Sequence, residues 1–223
     1  IYTELQKRII SSIFLIPITI FFVVKGSIFF AFFLSVFFLA SSYEWVKINK
    51  NNILKIIGIF YLFFAFYSAY LLREKFSFGI FILILIICIF TDLGGYIFGK
   101  TLKGPKLIKI SPKKTYSGAF GGFILSLTSV IIFKNFTVIG NKTYSDLSIL
   151  LSNDLILDEI FFIFVLFISF ISQIGDLLIS YFKRLAMVKD TGNILPGHGG
   201  LLDRIDGIIL AMPTTYLLIL YLK

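Results

Sequence analysis

The chain is poor in the residues that crosslink and solubilise ordinary water-soluble proteins. It has a single cysteine, Cys88, so it cannot form an intrachain disulfide, and no oxidising compartment is implied. Only 15% of its 223 residues are charged, whereas about a quarter of a typical soluble domain is charged. The short alternating segments that are typical of a membrane β-barrel are absent too. These absences argue against a disulfide-stabilised scaffold and against an ordinary soluble domain.

Apolar residues are abundant instead. They make up 58% of the chain, with 28 phenylalanines and a mean hydropathy of +0.96. Apolar runs near 20 residues predict transmembrane helices, because lipid offers no partners for backbone polar groups. We therefore predict an all-α, polytopic transmembrane bundle of about seven spans. The predicted spans are 9–24, 27–43, 54–72, 78–99, 117–133, 160–182 and 205–222.

The distribution of basic residues predicts the orientation of these spans. With the N-terminus cytoplasmic, 15 of the 21 lysines and arginines fall on the cytoplasmic side, in residues 1–8, 44–55, 100–116 and 183–204. This places loops 100–116 and 183–204 on the same face. The net charge of +9 is then explained by topology and anionic headgroups, and we expect no nucleic-acid partner. The first run continues into Lys25 and Gly26 without a small-residue cleavage site, so we expect no cleaved signal peptide.

Two aspartates interrupt the predicted spans. Asp92 lies inside the fourth span and Asp176 inside the sixth. A carboxylate there costs about 3 kcal/mol unless it is paired, hydrated or bound to a metal. A helix-packing carboxylate bonded to a neighbouring Ser, Gln or Lys is the structural alternative. Asp203 and Asp206, three residues apart, share one face at the start of the last span. Convergent carboxylates of this kind suit Mg²⁺, which prefers hard oxygen ligands.

Cations and polar groups surround these acids in the sequence. Ser180 lies four residues after Asp176 and so shares its helical face. Four cations follow, and together they predict a site for a metal–nucleotide polyphosphate. Taken singly, each cation is equally explained by positive-inside bias. The four are Lys183, Arg184, Lys189 and Arg204.

The loop that precedes the last span is rich in glycine, which lets a backbone turn tightly and approach a ligand. Its glycines are Gly192, Gly197, Gly199 and Gly200. Between them stands His198, the only histidine of the chain. We predict that His198 orients substrate rather than acting as a general base. A structural hydrogen bond is the alternative.

The other cytoplasmic loop has six lysines and no acid between residues 100 and 116. Its end places hydroxyl and ammonium groups just before a helix start, where an anion can bind. These candidate substrate-binding residues are Ser111, Lys113, Lys114 and Thr115. An ordinary basic surface loop is the alternative. The chain has no P-loop and no dinucleotide glycine fingerprint, so any nucleotide site is of another kind.

The stretch from Ser180 to Asp206 resembles the signature of the CDP-diacylglycerol synthases, also called phosphatidate cytidylyltransferases. The resemblance rests on Ser180-Tyr-Phe-Lys183-Arg184, Lys189-Asp190, Leu195-Pro-Gly-His-Gly-Gly200 and Asp203-Arg-Ile-Asp206. Two upstream blocks agree, Gln173-Ile-Gly-Asp176 and Asp92-Leu-Gly-Gly95-Tyr96 with Ser111-Pro-Lys-Lys-Thr115. Gly95 stands where the family usually has Ala, and Tyr116-Ser117 replaces a usual Trp-Glu pair.

The resemblance implies Mg²⁺ at Asp176 and Asp203 with Asp206 close by, a second, monovalent cation such as K⁺ in the same cluster, CTP on the cytoplasmic side, and a homodimer. It also implies a multi-pass protein of the bacterial inner membrane. We expect N-terminal helices over residues 1–77 and a catalytic membrane domain over residues 78–223.

The resemblance implies a reaction between CTP and phosphatidic acid that yields CDP-diacylglycerol and pyrophosphate. Lys183, Arg184 and Lys189 would bind phosphate groups, and Asp92 would complete the metal environment or anchor a cation. Two rival functions are a CTP-dependent kinase or cytidylyltransferase that acts on another membrane lipid, and a small membrane transporter that uses Asp92 and Asp176 as coupling sites.

Overall fold

The structure of the protein is a computed structural model, which describes residues 4–76, 78–108, 111–139, 156–195, 197 and 199–222. Within these residues there are seven α-helices and two short β-strands. The helices are α1 Glu4–Lys25, α2 Ser27–Ile48, α3 Asn52–Leu71, α4 Phe78–Thr101, α5 Tyr116–Ile139, α6 Ile156–Leu185 and α7 Leu202–Leu222. One π-helical segment, Leu72–Phe76, extends α3.

Five helices of the described chain are long and apolar enough to cross a membrane. These are α2, α3 with its π-helical end, α4, α6 and α7, over 20 to 25 residues each. Shorter apolar stretches lie in α1 (Leu15–Lys25) and α5 (Tyr116–Ile132). Large apolar side chains such as Phe32, Phe60 and Phe120 are exposed, which suits contact with lipid. The predicted helical membrane bundle is thus confirmed, with a helix at each of the seven predicted ranges.

The described helices run alternately up and down. At one end of the bundle, Arg73 after α3 donates hydrogen bonds to Val23 O and Val24 O at the end of α1, each 3.0 Å long. Glu74 pairs with Arg73 and accepts the first amide of α2, from Ser27 N at 2.8 Å. At the opposite end, Glu44 near the end of α2 accepts hydrogen bonds from Leu201 N and Leu202 N at the start of α7, and Lys183 near the end of α6 pairs with Asp203. The polar loops that follow these helices therefore share one face.

Glycines set the close approach of α4 to α5. A Cβ placed at Gly94 would lie 2.3 Å from Gly121 O, and one at Gly121 would lie 2.3 Å from Phe98. Small residues of this kind let membrane helices pack backbone to backbone. The same holds between α6 and α7, where a Cβ at Gly175 would lie 2.5 Å from Asp206 O. The contact at Gly175 sets Asp206 of α7 against α6, the helix that carries Asp176.

A β-hairpin follows α4, and the all-α prediction is wrong for this segment. Strands β1 (Lys106–Ile108) and β2 (Ser111–Thr115) pair antiparallel. Lys103 and Gly104 have positive φ values of 53° and 107°, so the chain turns back at once after α4. The backbone N–H and C=O groups of the two strands then form hydrogen bonds with each other. In an irregular loop these groups would have to bond to water instead. The hairpin folds against the ends of α4, α5 and α6.

Candidate active site

Three acidic side chains from three helices meet beside the hairpin. The carboxyl groups of Asp176 on α6, Asp206 on α7 and Asp92 on α4 lie close enough to act on one another electrostatically. Gly207 N also donates to Asp206 Oδ1 over 2.9 Å. Carboxylates this close repel one another unless a cation or proton lies between them. The cluster therefore favours the binding of a positively charged group.

Lys114 of β2 supplies a cation to this cluster. Its Nζ lies 2.5 Å from Asp176 Oδ2, and on the other oxygen Ser180 Oγ donates to Asp176 Oδ1 over 3.4 Å. The hairpin thus reaches across from the end of α4 to α6. Lys114 is half-buried and lies beside Thr115, at the entrance of α5.

A cavity of about 250 Å³ opens at this cluster. Its walls come from α4, the hairpin, α5 and α6, and they combine acids, a lysine, hydroxyls and apolar groups. The lining residues are Thr91, Asp92, Gly95, Tyr96, Leu107, Lys114, Thr115, Gly118, Ala119, Gln173, Asp176 and Leu177. Such a cavity suits a ligand that has both an anionic and an apolar part.

Asp203 belongs to a second polar group, one helical turn before Asp206. Lys183 Nζ lies 2.7 Å from its Oδ1. Its Oδ2 accepts hydrogen bonds from Thr191 N at 2.8 Å, Thr191 Oγ1 at 3.1 Å and Gly200 N at 3.2 Å. Asp203 therefore anchors segment 186–200 to α7. On α7, Asp206 lies close enough to Asp176 to interact with it electrostatically, and the predicted sharing of an ion by Asp176 and Asp203 stays a prediction.

Glu44 is a part of this second group that the sequence analysis missed. It is fully buried, and its two oxygens accept hydrogen bonds from Leu201 N, Leu202 N and Thr191 Oγ1 over 3.0, 2.9 and 2.9 Å. An acid at the end of a predicted span is readily attributed to a solvated loop. The feature of the sequence that could have identified Glu44 is its position directly after the apolar run of α2, beside Trp45.

The remaining predicted residues take several places. Thr115 Oγ1 accepts from Gly118 N at 3.1 Å and lies 3.0 Å from Ser117 Oγ, so it caps α5. Ser111 opens β2 and is partly buried, whereas the Lys113 side chain lies outside the described residues. Arg184, Lys189 and Arg204 are exposed near the second group. His198 lies outside the described residues.

Segment 186–200 turns where the glycine pattern predicts a turn. Leu195 and Gly199 exchange backbone hydrogen bonds of 3.0 and 3.2 Å, and Gly197 and Gly199 have φ values of 75° and 89°. These are left-handed conformations that favour glycine. Gly192 and Gly200 serve a different purpose, since a Cβ on either would lie within 2.7 Å of the Glu44 carboxyl.

The acidic side chains of the site are oxygen donors of the kind that Mg²⁺ prefers. Among the described residues, no three His, Cys, Asp or Glu side chains form a ready-made metal-binding group. Mg²⁺, however, is commonly held by one or two carboxylates together with substrate phosphates. The nearby carboxyl groups of Asp176 and Asp206 offer two oxygen ligands of this kind. The oxygen donors therefore fit an ion that arrives with a polyphosphate.

The fold and the site define a helical membrane protein whose cavity combines acids with lysine. The model of the cytidylyltransferase family matches residues 50–222, which is most of the chain and includes the whole acidic cluster. The chain belongs to the cytidylyltransferase family.

Curated bacterial relatives agree with this assignment. A protein of Brucella melitensis biotype 1, named phosphatidate cytidylyltransferase, is 37% identical over 164 residues, which are 72% of this chain and 54% of the relative. Proteins of the same name from Rickettsia prowazekii and Bacillus subtilis are 42% and 40% identical, over 63% and 58% of this chain and 59% and 43% of theirs. The chain spans about half the length of these relatives.

Proposed function

We propose that the protein transfers the cytidylyl group of CTP to phosphatidic acid, giving CDP-diacylglycerol and pyrophosphate. The observation that carries this proposal is the cluster at the wall of the cavity in which Asp176 pairs with Lys114 and lies close to Asp206 and Asp92. Every member of the cluster lies inside the region that matches the family. The relatives named phosphatidate cytidylyltransferase support the choice of substrates.

In this reaction a phosphatidate oxygen attacks the α-phosphorus of CTP, and the bond to the β-phosphate oxygen breaks. Both reactants are anions, so the protein must neutralise charge and align the two phosphates in line. Mg²⁺ bound at Asp176 and the carboxylates of α7 would stabilise charge on the phosphate oxygens. The nucleophile is already an anion, so no residue has to remove a proton from it.

The lysines of the site are proposed to exchange partners when substrate binds. Lys114 is paired with Asp176 and Lys183 with Asp203, and phosphate oxygens would replace these carboxylates as their partners. Ser111, Lys113 and Thr115 would receive the phosphatidate headgroup or the leaving pyrophosphate. Arg184, Lys189 and Arg204, at the cytoplasmic edge, would hold CTP phosphates, with His198 orienting substrate.

We place this face of the bundle on the cytoplasmic side of a bacterial inner membrane, in a chain with seven spans and a cytoplasmic N-terminus. The distribution of lysine and arginine supports this orientation, and α1 and α5 would be the sixth and seventh spans beside the five long helices. A monovalent cation such as K⁺ beside Mg²⁺, and a homodimer, complete the proposal.

The direct test incubates the purified protein with CTP, Mg²⁺ and phosphatidic acid, and measures CDP-diacylglycerol and pyrophosphate. We expect both products in equal amounts, and no lipid product with Asp176→Asn, because that change removes the carboxylate that pairs with Lys114 and lies close to Asp206. Polyprenol and ether-lipid acceptors run in parallel test the choice of lipid. A stable Asp176→Asn protein with wild-type turnover, or a wild-type protein that converts only another lipid, would contradict the proposal.

A further inference from the structure

Glu44 occupies an unusual position for an acid in a membrane bundle. Its exposure is 0%, and burial of a carboxylate is costly unless donors surround it. Three donors do so, from Leu201 N, Leu202 N and Thr191 Oγ1. They come from parts of the chain that lie about 150 residues further on. A carboxylate with this set of contacts connects α2 to the second polar group of the site.

The first two donors belong to the N-terminus of α7. The first amides of a helix have no partner within the helix, and a negative charge there is stabilised by the helix dipole. Leu202 is the first residue of α7 and Leu201 precedes it. Glu44 therefore caps α7 from a different helix and fixes where α7 begins. Asp203 and Asp206 follow within the next turn.

The third donor connects Glu44 to Asp203. Thr191 Oγ1 lies 2.9 Å from Glu44 Oε2 and 3.1 Å from Asp203 Oδ2, and Thr191 N also donates to Asp203 Oδ2. One threonine is thus shared between a fully buried acid and a predicted site acid. Through Lys183, which pairs with Asp203, the connection extends to the end of α6.

Two glycines surround the Glu44 carboxyl at close range. A Cβ at Gly192 would lie 2.5 Å from Glu44 Oε1, and one at Gly200 would lie 2.7 Å from Glu44 Oε2. Any side chain at these positions would displace segment 186–200 from the carboxyl. The backbone at Gly192 and Gly200 therefore packs directly against the Glu44 carboxyl, and neither position has room for a side chain.

We infer that Glu44 is a positioning residue for cytidylyl transfer. It holds the start of α7 and segment 186–200 in one arrangement, and so sets how Asp203 and Asp206 face Lys183 and Asp176. This inference rests on the proposed function. A purely structural role for Glu44 would affect only the stability of the fold. A positioning role requires that turnover falls when Glu44 is changed, even in protein that remains folded.

The central variant is Glu44→Gln, which keeps the shape and removes the charge. Leu201 N and Leu202 N donate to different oxygens of Glu44. In glutamine one of these oxygens is replaced by an NH₂ group, so in either orientation of the amide one of the two backbone N–H groups loses its acceptor. Thr191→Val is the second variant, because it removes the hydroxyl that lies between Glu44 and Asp203. The backbone bond from residue 191 N to Asp203 and the cap of α7 stay in place. Ser41→Ala is the control: Ser41 lies one turn earlier on α2, is fully buried, and its hydroxyl has no hydrogen-bond partner in the described structure.

The variants are compared in the full-length protein by amide hydrogen exchange of residues 188–203, by kcat and KM for CTP, and by thermal unfolding. For Glu44→Gln we expect faster exchange in this segment and a fall in kcat on the order of 10- to 100-fold, as for other groups that orient site ligands. KM for CTP should change less than kcat. Thr191→Val should change kcat in the same direction, and Ser41→Ala should match wild type.

A folded Glu44→Gln protein with wild-type kcat and exchange would overturn the inference. If Glu44→Gln does not fold, wild-type kcat in Thr191→Val overturns it, and a reduced kcat supports it. A wild-type protein that forms no CDP-lipid defeats the proposed function instead. In that case the exchange data still decide whether Glu44 holds segment 186–200.

Discussion

Two lysines of the site each lie next to one acid. Lys114 pairs with Asp176, and Lys183 pairs with Asp203. Both pairs are partly shielded from water, so the attraction is stronger than at an open surface. The pairs keep the acids from repelling one another in the absence of substrate. They also keep the ammonium groups close to where phosphates are proposed to bind.

Lys114→Gln should lower kcat/KM for CDP-lipid formation roughly 10- to 100-fold, because a hydrogen bond to a charged group is worth about 1.5–3 kcal/mol. Lys100→Gln is the matched control, since Lys100 is an exposed lysine at the end of α4 whose Nζ contacts the Tyr96 hydroxyl at 3.4 Å. Steady-state kinetics of the two variants provide the measurement. An equal effect of both changes would indicate a general loss of basic charge rather than a specific role for Lys114.

At the scale of helices, two glycine contacts build the site. Gly94 against Gly121 joins α4 to α5, and Gly175 against Asp206 joins α6 to α7. Because there is little hydrophobic drive between helices in lipid, close packing supplies much of their association. At these glycines the helix backbones lie in close contact. The geometry of the acidic cluster therefore depends on glycines as well as on the aspartates themselves.

Gly94→Ala should destabilise the protein by roughly 1–3 kcal/mol, because its Cβ would lie 2.3 Å from a backbone oxygen of α5 and overpacking of this kind has that cost. Gly95→Ala is the neighbouring control, since a Cβ there would meet only Gly118 O at 3.8 Å. Thermal unfolding in detergent compares the two. If Gly95→Ala is as damaging as Gly94→Ala, close backbone contact does not explain the α4–α5 interface.

Sequence patterns predict the helices better than they predict the contacts of the site. The seven helical ranges follow from apolar runs, and Asp92 and Asp176 stand out because acids are costly in lipid. The hairpin was missed because its two strands have only three and five residues, too few to give a clear alternating pattern. Glu44 was missed because its donors are about 150 residues away, and no local pattern reports such a contact.

For the whole molecule, the alternation of helices defines two faces with different polar groups. Arg73 and Glu74 close one end, and the hairpin and segment 186–200 occupy the other. Lys50, after α2, lies at the same end as the site, whereas Lys75 lies beside Arg73. Both lysines are exposed. These two positions therefore report the orientation of the entire bundle.

Lys50→Cys and Lys75→Cys provide a test of orientation with a membrane-impermeant maleimide. Cys88 is 2% exposed, so little background labelling is expected. A cytoplasmic site predicts that Lys75→Cys reacts in intact spheroplasts and that Lys50→Cys reacts only after permeabilisation. The unchanged chain, with Cys88 alone, serves as the control. The reverse pattern of labelling would place the site on the outer face.

The cap that Glu44 provides for α7 affects how fragments of this protein can be designed. The family match begins at residue 50, six residues after Glu44. A fragment cut at that border would keep every site aspartate and yet leave two buried amides of α7 without an acceptor. Unpaired buried groups of this kind each cost about 1–3 kcal/mol. A useful expression boundary therefore lies before α2.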